Sequence, residues 1–234
     1  NIMNKKRKRI GFFTSQLEGD FNGPLWENIH IEAKKQNLDL IVYPGSNLLT
    51  GLKVNSDYLG VAYNEVFNFF NCNSFDGLIV SSGTLANVIG VDTYISFLQK
   101  YIKVPIVSLS IDVGIGSSIS MDNFIGMKLL AEHFVNDHNC SRFVFLSGTK
   151  GSPECKERMS GFRAGLQGAG YELSEENIFY GDFNKECVEK TLAPLFQRGH
   201  LDVDVIACAN DSMAVGVIEL LKQKGYQIPE DIKV

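Results

Sequence analysis

Short apolar runs alternate with longer amphipathic stretches along almost all of the 234-residue chain, and this rhythm constrains the fold more than any other feature. Arg9 to Thr14 (RIGFFT), Leu38 to Tyr43 (LDLIVY), Phe75 to Val80 (FDGLIV) and Val104 to Leu109 (VPIVSL) each have the length and content of a buried strand. Helical spacing fills the intervals. Pro24 suits a first helical turn, and Leu25, Trp26, Ile29 and Ala33 then recur on one face to about Gln36. Further helices are expected over 57–71 and 92–101, with a fifth strand at 117–121. From Asp122 the rhythm restarts as helix 123–136, strand 142–146, helix 154–169, strand 178–180, helix 185–197, strand 203–207, helix 212–224 and strand 232–234. Strands alternating with helices of this length imply parallel sheets covered on both faces. The expectation is an α/β protein of two doubly wound lobes, 8–121 and 122–234, behind a basic leader at 1–7. No strict sequence repeat relates the two lobes.

The charge balance narrows the function. Net charge is −5, but Lys5 to Arg9 (KKRKR) supplies five of the 22 basic side chains. Residues 10–234 therefore hold 17 basic against 27 acidic groups, a net of −10. Such a body repels a phosphate backbone, so no direct nucleic-acid binding by this chain is expected, and the basic run reads as a solvated leader. The five cysteines, Cys72, Cys140, Cys155, Cys187 and Cys208, are odd in number and scattered, which argues against a disulfide framework and a structural zinc. The N-terminus runs into a strand with no long apolar segment, and no stretch is long enough to span a bilayer. The expectation is a cytoplasmic protein without membrane contact.

Motifs for catalysis are missing from the sequence. It contains no G-x-x-x-x-G-K-[ST], G-x-G-x-x-G or G-x-S-x-G stretch, and His30, His133, His138 and His200 are spread along presumed helix faces and ends. No enzyme activity, cofactor or metal site is expected.

The C-terminal stretch Ala209 to Val234 (ANDSMAVGVIELLKQKGYQIPEDIKV) is more informative. Asn210 and Asp211 follow the apolar run Val203 to Ala209, and Met213, Ala214, Val217, Leu220 and Leu221 then share a helix face. Gly225 suits a left-handed cap, and Pro229 blocks further helix. Two polar side chains thus sit at the carboxyl end of a strand, where open α/β sheets bind ligands.

Together with Ser120–Met127 (SMDNFIGM), Arg158–Leu166 (RMSGFRAGL) and Gly181–Phe183 (GDF), this stretch resembles the LacI/GalR-type ligand-binding domains, which share the type I periplasmic-binding-protein fold. The order and spacing match over roughly residues 8–234. The resemblance implies a cleft between two lobes that binds a small polar, sugar-like molecule, and a homodimer. Members return to the first lobe after the strand that begins here at Ile232, so the C-terminal part reads as truncated.

Residue by residue, the resemblance puts Arg158 in the cleft, its guanidinium fork suited to paired hydroxyls or a carboxylate; the competing role is a surface pair with Glu154, one turn away. Asn210 is expected on the ligand and Asp211 in the helix cap or a structural bond, although both residue types do either job. Ser15, Ser81 and Ser110 follow strand ends of the first lobe; Ser110 departs from the family, where an acid is common. Asp20 and Phe21, with Phe183 from the second lobe, are expected as polar and aromatic walls, against plain core packing for each ring. Asp122, with Asn123 beside it, is read as a hinge residue and natural N-cap.

Three functional readings follow. The opening RIGFFTSQLEGDFNGPLWENIHIEAKK resembles LacI-type sensor domains attached to histidine kinases, cyclases or AraC-type regulators, which makes a signalling sensor the first reading. Met3, read as a start, leaves no room for an upstream helix-turn-helix. The alternative is the effector-binding core of a LacI-type repressor separated from its DNA-binding head. A dimerisation module that binds nothing is the third.

Overall fold

The computed structural model describes residues 6–19, 21–48, 62–87, 89–197 and 201–234. They divide into two compact units, Asn1–Met121 and Asp122–Val234.

The first unit is built on five parallel strands in the order β2-β1-β3-β4-β5: β1 Arg9–Thr14, β2 Asp39–Pro44, β3 Gly77–Val80, β4 Ile106–Leu109 and β5 Ser117–Ile119. β1 is an interior strand, with Phe12 opposite Val42 on one side and Ile79 on the other. Phe12 and Phe13 point to opposite faces, and both are fully buried, so helices and loops cover the sheet on both sides. Phe13 gathers an aromatic cluster, with ring centroids 4.8 Å from Phe67, 5.0 Å from Tyr101 and 5.3 Å from both Tyr43 and Phe70. Gly11 admits that cluster: a Cβ there would stand 2.4 Å from the Phe70 ring. Helices α1 Asn22–Lys35, α2 Ser82–Leu85 and α3 Val91–Leu98 complete the labelled elements. The helix expected over 57–71 falls partly outside the described residues; within them 62–64 is helical, and Glu65–Phe69 tightens to a 3-10 turn.

In the second unit three parallel strands run in the order β7-β6-β8: β6 Phe143–Ser147, β7 Ile178–Tyr180 and β8 Val205–Cys208. β6 has neighbours on both edges, and all five of its residues are buried. The strand expected over 232–234 is reduced to a single parallel bridge between Val205 and Lys233. Helix α4 Asn123–Asn136 is capped by Asp122, whose Oδ1 accepts from the Ile125 N–H at 2.9 Å. Helix α5 Pro153–Gly168 packs against α4 through two glycines. A Cβ on Gly161 would stand 2.1 Å from the Phe124 carbonyl oxygen, and one on Gly165 2.5 Å from that of Lys128. The region expected as one helix over 185–197 is a 3-10 turn, Lys185–Cys187, leading into α6 Val188–Phe196. Helix α7 Asp211–Gln223 ends at Gly225, which takes φ +88° while the Tyr226 N–H donates to Leu221 O at 3.0 Å.

Candidate functional site

The carboxyl edge of the second sheet is where polar side chains gather. Arg158 reaches it from the second turn of α5. Its Nε donates to Asn123 Oδ1 at 2.8 Å, its Nη1 donates to Ala209 O at 2.7 Å, and its Nη2 lies 3.9 Å from Glu154 Oε1. Only 15% of the side chain is exposed. The pairing with Glu154 exists, but the arginine is no ordinary surface residue: it ties the start of α4 to the end of β8. Asn123, itself buried, donates from Nδ2 to Glu157 Oε2 at 3.1 Å. Burial pushes the Glu154 carboxyl above its ordinary value; the Arg158 charge opposes that shift and Glu157 adds to it. One carboxylate, Glu154, therefore lies beside the guanidinium, and a second, Glu157, holds its anchor Asn123.

Asn210 occupies the N-cap of α7. Its Oδ1 accepts from the Met213 N–H at 3.1 Å, and its Nδ2 donates to Phe183 O at 2.8 Å. The cap is thus Asn210, not Asp211, which is the exposed first residue of the helix and complements its positive end. Phe183 sits at φ +70°. Its ring lies over Gly148, where a Cβ would stand 2.3 Å away, so the residue is half-buried and packs on the second core. Ser147, at the end of β6, is fully buried. The buried Cys155 thiol lies close by; burial raises its pKa, and the Ser147 and Ser152 hydroxyls draw it back.

In the first unit Ser15 and Ser81 are buried at the ends of β1 and β3. The Ser81 N–H donates to Phe13 O at 2.9 Å, and its Oγ accepts from Thr84 Oγ1 at 3.1 Å. Ser110, after β4, turns at φ +73° and donates its N–H to Ile119 O at 2.8 Å. Phe21 is 47% exposed at the start of α1, free of the core, whereas Asp20 lies outside the described residues. Beneath this edge is a network that the sequence reading missed. Ser82 Oγ lies 2.5 Å from Ser108 Oγ and 2.9 Å from Tyr94 Oη, and Ser108 donates to Ile111 O at 2.7 Å. All three side chains are buried, and burial pushes the Tyr94 phenol well above its usual range. A serine inside an apolar strand and a tyrosine on a helix carry no spacing signal that would pair them.

Two cavities, of about 220 and 410 Å³, open at the opposite, amino-terminal edge of the second sheet and share Arg142, Leu201, Asp202 and Val203. Arg142 is already matched there by Asp202 and Asp204. Burial alone would raise the Asp204 carboxyl, yet the Arg142 side chain and the Ser141 and Arg142 N–H groups hold it well below the usual range. Among the described residues no helix is long and apolar enough to cross a membrane.

Residues 123–233 match the model of a family described as a periplasmic binding protein domain. The chain is 20% identical to the transcription regulator CcpA of Lactococcus lactis, with a TM-score of 0.75 over 97% of this chain and 77% of that one. A transcriptional regulator CelR–cellobiose complex matches at 19% identity with a TM-score of 0.75, covering 97% of this chain and 66% of the other. The fold is that of a LacI/GalR-type ligand-binding domain. Among curated sequences, the HTH-type transcriptional repressor PurR of Mannheimia succiniciproducens is 32% identical over 143 residues, 58% of this chain. The HTH-type transcriptional regulator CelR of Thermobifida fusca is 28% identical over 118 residues, 50% of this chain. The matched stretches span 41% and 34% of those two regulators, less than half of each. These LacI-type relatives are transcriptional regulators, so they back the repressor-core reading over a kinase or cyclase output.

Proposed function

We propose that this chain is the effector-binding core of a LacI-type transcriptional regulator and recognises a small polar, sugar-like molecule at the carboxyl edges of its sheets. The observation that carries the reading is the placement of Arg158. A side chain that costs free energy to bury is anchored on Asn123 and Ala209 O, at the edge where open α/β sheets take ligands. The anchors fix the guanidinium plane and leave its remaining donors, beside Glu154, to meet hydroxyl groups. We assign Asn210 and Phe183 to the same edge, and Ser15, Phe21, Ser81 and Ser110 to the corresponding edge of the first unit.

The relatives point to the output. PurR and CelR carry the description HTH-type, and a structural neighbour is a cellobiose complex. The output module of this protein is accordingly a DNA-binding head, with the −10 body leaving DNA contact to that head. A cytoplasmic homodimer follows from the same reading.

Two experiments test it. Thermal unfolding against a panel of sugars, sugar phosphates, nucleosides and purines should give a ligand that raises the midpoint. At about 100 Kd a ligand that binds only the folded state adds roughly 2.7 kcal/mol. No shift from any member, in a folded sample, favours the dimerisation module. The parent gene should encode a helix-turn-helix; a kinase or cyclase joined to this chain would restore the signalling-sensor reading.

A further inference from the structure

Helix α4 ends at Asn136, and the chain reverses at once. Asn139 takes φ +53°, a region that asparagine tolerates better than most residues. Its N–H donates to Val135 O at 3.1 Å, and that of Cys140 donates to Phe134 O at 3.0 Å. The reversal folds His138 back onto His133 of the last helical turn. Their Nε2 atoms are 3.1 Å apart, and the ring centroids 4.6 Å apart at an interplanar angle of 87°. The two Nε2 atoms are thus brought side by side, with the ring planes nearly perpendicular.

His133 Nδ1 lies 2.5 Å from Asp137 Oδ2. That contact keeps the proton on Nδ1 and turns the Nε2 lone pair outward, the arrangement found behind metal-bound imidazoles. His133, Asp137 and His138 are all exposed, so an ion reaches them from solvent. The negative end of the helix dipole adds to the attraction for a cation.

We propose that His133 and His138 bind one divalent transition-metal ion, of the Zn²⁺, Ni²⁺ or Cu²⁺ class, through their two Nε2 atoms. Metal–nitrogen bonds of about 2.0–2.1 Å separate two nitrogens by about 2.9 Å at a right angle and about 3.3 Å at a tetrahedral one. The observed 3.1 Å falls between these values. Imidazole pairs select this class over Mg²⁺ and Ca²⁺, which take oxygen ligands. Asp137 is a positioning residue that acts through His133. Among the described residues no group of three or more His, Cys, Asp or Glu side chains is placed to hold an ion, so water completes the coordination shell and the affinity is modest. Both Nε2 atoms must be free of a proton to bind the ion.

The test is a calorimetric titration of the chain with NiCl₂ near neutral pH, compared with His138→Gln and Asp137→Asn. Both substitutions fall on exposed side chains and leave all five thiols in place, so thiol binding is common to the three proteins. The expected result is one ion per wild-type chain, affinity lower by at least tenfold in His138→Gln, and about tenfold lower in Asp137→Asn. Equal affinity in wild type and His138→Gln, or no uptake by the folded wild type at sub-millimolar Ni²⁺, overturns the proposal.

Discussion

Asp204 shows how one side chain can hold a sheet edge. Its carboxylate accepts from the N–H groups of Ser141 and Arg142 at 2.8 and 3.0 Å and from Arg142 Nε at 3.0 Å, joining the approaches to β6 and β8. Its folded pKa is depressed, so its stabilisation is complete above the unfolded value of about 3.9 and is lost as pH falls through the folded one. Asp204→Asn should cost about 2 kcal/mol at neutral pH, roughly 4–8 °C in midpoint. Melts of both proteins at descending pH should show the gap closing below about pH 4; a gap independent of pH would contradict the electrostatic account. Asn210→Ala removes a cap and a bond to Phe183 O, and should lower stability by about 1–2 kcal/mol, measured by denaturant unfolding. Local chemistry of this kind was legible where it acts over three or four residues. Asp122 carries its capping signal in the sequence, and so does Gly225. What Asn210 does was less legible, because both Asn210 and Asp211 cap well and only the backbone decides which of them stands at the boundary. Partnerships at long separation had no signal at all. Nothing along the chain links Asp204 to Ser141, Asn123 to Arg158, or Ser82 to Ser108.

Among the elements, α4 and α5 depend on a missing side chain. Gly161 and Gly165, four apart, share a helix face and let the backbones meet, with carbonyl oxygens of α4 where Cβ atoms would be. Gly161→Ala should therefore separate the helices and cost about 1–3 kcal/mol despite alanine's better helix propensity. Gly168→Ala, where a Cβ meets nothing within 4 Å, should be neutral or stabilising. Thermal melts of the pair check this, and equal midpoints would contradict the packing account. Because this contact positions α5, it also positions Arg158. The alternation of apolar and amphipathic stretches was enough to find the strands and most of the helices, since periodicity reflects which face is buried. It failed where an element is too short or irregular to carry a period. Helix α2 spans only four residues, Glu65–Phe69 is a 3-10 turn, and the last expected strand contributes one bridge.

For the whole molecule, two parallel sheets covered by helices put every strand's carboxyl end on one edge of its unit, and polar residues collect there in both. The fold was readable from the rhythm and four short motifs; on the output, the opening stretch pointed to a signalling sensor, whereas the similar curated proteins are HTH-type regulators, which fits the repressor-core alternative better. The central claim is that Arg158 serves a ligand and not only the frame. The most direct measurement is the ligand-induced midpoint shift in wild type and in Arg158→Gln, each confirmed folded by circular dichroism. The account predicts a ligand that raises the wild-type midpoint by about 2–4 °C per kcal/mol of binding and leaves the variant unmoved. The same shift in both proteins would contradict it and reduce Arg158 to a tie between α4 and β8.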